Sequence, residues 1–297
     1  MSKQGLVYQV NQKPPFGKNL IFAFQQFLAI IAATILVPVL ADKTGVYLSQ
    51  SAALLGAGVG TIIYLLLTKF KSPVFLGSSF AFIFPLSIAV AYGYLGIFLG
   101  AVFAGLVYLL LALIVKVAGT NWITKLMPPV VIGPTVALIG LSLSGSAMNN
   151  VMNTAGGPAG YNLVSILIGI VTFLITIIVS VKGKKGLRLF PFVIGVLGGY
   201  VLAVILTLIG KAANVSYLQL VSFEPFAKIA DIKEWLPNLT FLGIFKEGAS
   251  KLDGFAGVVS IFVTFAPVAL VVFAEHIADH KNISTIIGTD LLKDPGL

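Results

Sequence analysis

Pro73-Val-Phe-Leu-Gly-Ser-Ser-Phe-Ala-Phe-Ile-Phe-Pro85 decides how the rest of the chain is read. Two prolines bracket eleven residues inside a long apolar run. A proline within a helix removes a hydrogen bond and clashes with the preceding turn. Gly77, Ser78 and Ser79 are poor helix-interior residues, and Phe80, Phe82, Ile83 and Phe84 favour extended structure. Two readings fit. One is a Pro-kinked helix packed through its small residues. The other is a short extended segment whose backbone donors near Ser79 and Phe80 stay available, a form tolerated at membrane depth only where protein or a cavity meets those groups.

Working outward, the flanking sequence supplies the membrane. The 297 residues hold 58% hydrophobic and only 10% charged side chains, and the mean hydropathy is +1.04. A soluble domain carries about 25% charged residues, and a core of this length cannot hide so many apolar side chains. Eight runs satisfy the requirement of about 20 apolar residues per helical span: 19–41, 49–68, 73–91, 96–117, 127–148, 161–181, 189–211 and 255–280. They are continuous and lack the alternation of barrel strands. The expected class is an all-α polytopic membrane protein. Residues 1–18 are polar without a small-residue cleavage site, so the first span reads as a retained anchor.

Charge sets the orientation. The N-terminal arm holds Lys3, Lys13 and Lys18, and the connections after spans two, four and six hold Lys69, Lys71, Lys116, Lys125, Lys182, Lys184, Lys185 and Arg188, with no acid among them. The connections after spans one, three and five hold one lysine, Lys43, beside Asp42. The positive-inside rule places the N-terminus in the cytoplasm. The net charge of +9 is therefore a topology signal, and nucleic acid is not an expected partner. Residues 212–254 form a long external connection in which Trp235, Leu236, Phe241 and Phe245 suit the membrane interface or packing on the bundle. Cysteine is absent, which removes disulfides and thiolate chemistry. No phosphate-binding Gly-rich loop, Asp-Asp-x-x-Asp cluster or nucleophile motif is present, so an enzyme is not expected.

The eighth span runs from Phe255 through Pro267 to Ala274 and then meets Glu275-His-Ile-Ala-Asp-His280. Glu275 and Asp279 share one helix face, and His276 and His280 the adjacent one. Either the span ends at Ala274 with these groups among lipid headgroups, or the helix continues through Ile277, Ile283 and Ile287. An ionised carboxylate inside costs about 2.5–3.5 kcal/mol on insertion scales, so a bound proton relieves it and Glu275 is a candidate proton carrier. Metal is not expected. The order is Glu-His-x-x-x-His, unlike the His-Glu-x-x-His of zinc proteases, and no third histidine exists. Gln25, Gln26 and the Ala32-Ala33-Thr34 run read mainly as packing contacts of the first span. Pro128, Pro129, Gly133 and Pro134 predict a bent start to the fifth span, and Ser142, Ser144 and Ser146 a polar exit.

Ala33-Thr-Ile-Leu-Val-Pro-Val39, Leu76-Gly-Ser-Ser-Phe-Ala-Phe-Ile83 and Ala274-Glu-His276 together resemble the nucleobase–ascorbate transporter family, and within it the bacterial uracil permeases. Asp290-Leu-Leu-Lys-Asp-Pro-Gly-Leu297 is similar to the stretch that follows the eighth span there. The resemblance runs along the whole chain. It implies a fold of two inverted seven-span repeats, of which this chain holds the first plus one span, with the third span carrying a short extended strand. The implied division is a cytoplasmic arm (1–18), core spans one to four (19–117), gate spans five to seven (118–211), the external connection (212–254), and the eighth span with the start of a cytoplasmic segment (255–297).

By the same resemblance Glu275 binds the pyrimidine ring and titrates, and the Phe80 N–H, next to Ser79, points at a uracil carbonyl. Asp279 stands where some of these permeases have a histidine, so the proton relay is expected to be wired differently through Glu275 and Asp279. The implied activity is uracil:proton symport across the cell (inner) membrane. No cofactor beyond the coupling proton is implied, and a homodimer is a candidate assembly. A xanthine or urate permease of the same family is the alternative. A sulfate-permease relative would present a cationic or dipole-only anion site in place of Glu275. Because the family continues for six more spans beyond Leu297, the chain is expected to be a fragment that does not transport alone.

The predicted orientation is checked with introduced cysteines. Lys43→Cys is expected to react with a membrane-impermeant maleimide in intact cells, and Lys184→Cys only after permeabilisation. The reverse pattern overturns the assignment.

Overall fold

An apolar run in lipid has little alternative to helix, because its backbone groups find no water to bond. A computed structural model describes residues 8–119, 122, 129–152, 161–184, 187, 191–227, 231 and 236–296. Among these are the helices α1 (Phe16–Ala41), α2 (Gln50–Leu67), α3 (Ile83–Ala91), α4 (Gly93–Ala118), α5 (Pro129–Met152), α6 (Leu163–Lys182), α7 (Pro191–Ala212) and α8 (Gly254–Ile287). No strand occurs among the described residues. Six helices, α1, α2, α4, α6, α7 and α8, are long and apolar enough to cross a membrane. Lys3, Lys125, Pro128, Lys185, Arg188, Trp235 and Leu297 lie outside the described residues, as do the side chains of Ser142 and Ser146.

Two of the expected spans differ from their sequence boundaries. In the third, helix is confined to a 3-10 turn over Phe80–Phe82 followed by the nine residues of α3. Residues 73–79 are irregular, and the Phe80–Phe84 run expected to be extended is helical instead. The Ser79 hydroxyl accepts from the Ala81 N–H (3.3 Å) and caps the turn, and this local bond outweighs the context-dependent β preference of the aromatics. In the eighth, α8 does not end at Ala274. It runs 34 residues, about 50 Å at 1.5 Å per residue, and closes only at Gly288 in the left-handed conformation (φ 74°).

The helices gather into two compact units, Met1–Phe22 with Ala33–Ile139 and Pro237–Leu297, and Ala23–Ala32 with Gly140–Leu236. In the first, α4 and α8 pack along their length. Lipid tails are as apolar as leucine, so this contact comes from close fit and not from escape from water. Buried Gly100 on α4 makes room for it. A Cβ on Gly100 would enter the ring of Phe265, which is 2% exposed. Further along, Phe273 and Ile277 pack with Leu111 and Leu292. In the second unit, α7 buries Gly195, Gly199, Ala203 and Thr207 at intervals of four. A Cβ at Gly195 or Gly199 would strike Thr176 or Thr172 of α6.

At the end of α1, Asp42 is 4% exposed and organises the turn into α2. Its carboxylate accepts from the N–H groups of Thr44, Gly45, Tyr47 and Leu48 at 2.7–3.2 Å and from the Thr44 hydroxyl. Burial pushes its pKa up, but these bonds to the charged form outweigh it and hold the carboxyl below its usual value of 3.8. Nearby, Glu247 accepts from Tyr94 N–H (3.0 Å) and Tyr47 Oη (3.0 Å) and pairs with Lys251 (3.4 Å). Lys251 also bonds the Tyr47 hydroxyl. This ties residues 237–254 to α4 and to the α1–α2 turn. Phe245 of that connection is 86% exposed and Phe241 55%, so neither packs into the core.

A carboxylate with a depressed folded pKa stabilises above its unfolded pKa and loses the effect as pH falls through the folded value. Asp42→Asn is therefore expected to cost about 1–3 kcal/mol at neutral pH. The difference should close below the usual carboxylate range, as read by thermal unfolding in detergent at stepped pH.

Candidate functional site

The irregular stretch 73–79 needs partners for its backbone, and α2 provides them. Thr61 is 9% exposed, and its hydroxyl accepts from Leu76 N–H (2.9 Å) while lying 2.7 Å from the carbonyl of Ala57. One turn on, the Tyr64 hydroxyl lies 2.9 Å from Ser72 Oγ, and Thr68 bonds the Tyr64 carbonyl (2.9 Å). A polar stripe at i, i+3 and i+7 thus follows the broken segment down α2. Hydroxyl residues recurring at helical spacing in an apolar span are the signal of this stripe in the sequence.

From the other side comes α1, whose Thr34, Val37, Pro38 and Ala41 form its buried face. A Cβ at Gly77 would sit 3.4 Å from Thr34 Oγ1, and Ser78 Oγ reaches the Thr34 carbonyl at 3.4 Å. Glycine at 77 keeps this approach open.

The break then delivers Ser79 to α8. Ser79 Oγ donates to Glu275 Oε2 at 3.1 Å, across 196 residues of sequence. Glu275 is half-buried, and the helix continues for twelve residues beyond it, so it is a mid-helix carboxyl. Phe80 opens the 3-10 turn, where a residue has no intrahelical acceptor for its N–H. Among the described residues no acceptor pairs with it. Ser79, the Phe80 N–H and Glu275 are thereby brought to one place. Asp279 is exposed and takes no part in the Ser79–Glu275 bond. The rings of His276 and His280 lie 4.2 Å apart, and His276 stacks on Tyr108 of α4 at 6.2 Å. No group of three or more His, Asp or Glu able to hold a metal forms among the described residues.

A cavity of about 760 Å³ opens beside Ser78. Its walls are mostly apolar, from Val37, Pro38, Leu86, Ile97, Phe98 and Phe245, and Glu275 is not on them. A small ligand is fixed by a few placed polar groups. Ser79, Phe80 and Glu275, the polar groups brought together here, are not on these walls.

Residues 17–297 match the family model described as Permease family (Xan_ur_permease). The chain belongs to this permease family. It is 37% identical over 293 residues to a uracil permease of Bacillus caldolyticus, covering 98% of this chain and 61% of that protein. It is 36% identical over 300 residues to a uracil permease of Bacillus subtilis (strain 168), covering 100% and 63%. Against a uracil permease of Escherichia coli (strain K12) the identity is 33% over 290 residues, covering 97% and 60%. The chain thus spans less than two thirds of the length of these relatives. With six helices long and apolar enough to cross a membrane, this member of the permease family is a multi-pass membrane protein.

Removing the Thr61 hydroxyl tests the support of the break separately from its chemistry. Thr61→Val leaves the Leu76 N–H unpaired in a low-dielectric setting, at an expected cost of about 1–3 kcal/mol in thermal stability. Thr61→Ser should retain most of it.

Proposed function

We propose that this chain forms the greater part of a uracil:proton symporter of the cell (inner) membrane, with its N-terminus in the cytoplasm. The observation that carries the proposal is the Ser79–Glu275 hydrogen bond at the mouth of the broken third segment. Uracil presents ring N–H donors beside carbonyl acceptors. Glu275 accepts from a ring N–H, and the Phe80 N–H donates to a carbonyl. The Ser79 hydroxyl holds the Glu275 carboxyl in position between substrates. The likeness to uracil permeases over nearly the whole chain supports the choice of pyrimidine.

Proton coupling follows from the position of the carboxyl. A charge on Glu275 in a lipid-embedded site is costly, and the residue binds both a proton and the substrate, so each affects the other. Asp279, a turn further and exposed, exchanges protons with the aqueous side. The core spans one to four with α8 move against the gate spans five to seven to alternate access, in a fold of two inverted repeats, and a homodimer is the assembly to look for. A xanthine or urate permease is the second reading, to which the abbreviated family label Xan_ur_permease also points.

The permease at its full natural length is expected to take up labelled uracil faster as the external pH falls. Glu275→Ala should abolish uptake, and Ser79→Ala should weaken it by about tenfold, equivalent to about 1.4 kcal/mol. Retention of both uracil uptake and uracil binding in Glu275→Ala removes the role assigned to that residue. Competition by excess xanthine, stronger than by unlabelled uracil, selects the second reading.

A further inference from the structure

The face of α8 that meets α2 carries a second polar chain, separate from the Ser79–Glu275 bond. His280 is 1% exposed. Its Nδ1 lies 3.0 Å from the backbone carbonyl of His276. A carbonyl can only accept, so Nδ1 carries a hydrogen in either charge state of the ring. Nε2 lies 2.9 Å from the Tyr64 hydroxyl, and that hydroxyl lies 2.9 Å from Oγ of Ser72, which is 0% exposed.

Tyr64 has one hydrogen to give and two partners. With a neutral ring, Tyr64 donates to Nε2 and accepts from Ser72. With an imidazolium, Nε2 donates to Tyr64 and Tyr64 donates to Ser72. Both arrangements pair every atom of the chain without moving a heavy atom. A buried histidine held for packing alone needs one fixed partner. Two hydroxyls in series, able to reverse together, are what a ring needs if its charge changes.

We propose that His280 is a proton-carrying residue of this permease, and that Tyr64 and Ser72 connect it to the connection bearing Lys69 and Lys71. The inference rests on the proton-coupled transport proposed above. In the loading step, opening of that connection admits water to Ser72, which is otherwise buried, and a proton bonds to its Oγ. The hydrogen already on Ser72 passes to the Tyr64 oxygen, and the Tyr64 hydrogen passes to Nε2. Both hydroxyls end as they began, one proton is gained by the ring, and the chain now points the other way. Unloading is the reverse.

The groups that sense this charge lie on every side. Asp279 precedes His280 on α8, Glu275 lies further back on the same helix, and the His276 ring is 4.2 Å away. Tyr108 and Lys116 belong to α4, which packs along α8, and Tyr64 belongs to α2. At the lysine-bearing end are the Lys71–Asp294 pair (2.6 Å) and the looser Lys293–Asp290 pair (3.9 Å). Protonation of His280 is therefore coupled to the charge of Asp279, which in turn is coupled to Glu275 one turn back. That coupling gives His280 a place in a cycle in which Glu275 gains and loses a proton.

Two transport assays on the full-length permease in liposomes separate this from a structural role. One follows uracil uptake driven by a proton gradient. The other follows exchange of uracil between equal pools at one pH, which needs no net proton movement. Tyr64→Phe keeps the ring and removes the hydroxyl. It is expected to lower driven uptake by about tenfold or more while exchange stays within about twofold of the parent, and His280→Gln is expected to do the same. Equal loss in both assays, or no loss in either, overturns the proposal.

A measurement that does not depend on transport completes the test. Nitrogen-15 NMR of histidine-labelled protein, with His280 assigned by its disappearance in His280→Gln, should follow the ring from the Nδ1–H tautomer to imidazolium between about pH 5 and 8. The midpoint should move in Tyr64→Phe. A ring locked in one state across that range overturns the proposal whether or not uracil moves. A titrating His280 in a permease that moves no uracil refutes the uracil reading instead.

Discussion

Backbone N–H and C=O groups in a membrane protein have to be paired from within the protein, and residues 73–79 are where this chain meets that demand without a helix. The structure depends on how it is met. Thr61 and Tyr64 of α2 hold one flank of the break, at Leu76 and Ser72. Thr34 of α1 lies against Gly77 and Ser78. The chain recovers a helix only at the Ser79-capped turn, which places a helix start, with its unpaired N–H, inside the bundle. The same serine reaches Glu275. A break that would be a defect in a soluble helix here brings an unpaired backbone N–H and a carboxyl close together.

Holding such a site requires helices that do not drift, and lipid offers no hydrophobic pressure to press them together. The permease relies on close approach. Gly100 admits the ring of Phe265 between α4 and α8, and Gly195 and Gly199 admit Thr176 and Thr172 between α7 and α6. Polar knots act at the helix ends, where water or headgroups would otherwise compete. Asp42 gathers the α1–α2 turn, and Glu247 fastens the 237–254 connection to Tyr47, Tyr94 and Lys251. Exposed ion pairs such as Lys71–Asp294 add little by comparison, about 0–1 kcal/mol.

Apolar spans, their approximate limits and the irregularity of the third were legible in the sequence. They follow from composition and spacing, and the medium leaves few alternatives for an apolar run. The boundaries of the third and eighth spans were not. Phe80, Phe82 and Phe84 carry an intrinsic extended preference, but one hydroxyl at Ser79 captures the Ala81 N–H and starts a turn. Similarly, Glu275-His276 and Asp279-His280 look like the polar end of a helix until their neighbours across the bundle are known. His280 is buried against Tyr64 of α2, which lies 216 residues away in sequence.

By itself the sequence marked which segments are apolar enough to enter lipid, because transfer from water depends on local side-chain content, and it singled out Ser79, Phe80, Glu275 and Asp279 through the break, the polar cluster after Ala274 and the family likeness. Only the tertiary structure decided that Ser79 bonds Glu275, that Asp279 stands apart exposed, and that α2 supplies Thr61 and Tyr64 to the break and to His280. Hydrogen bonds are short and directional. Whether two polar side chains meet within 3 Å is set by how helices far apart in sequence pack, and no local pattern encodes that distance.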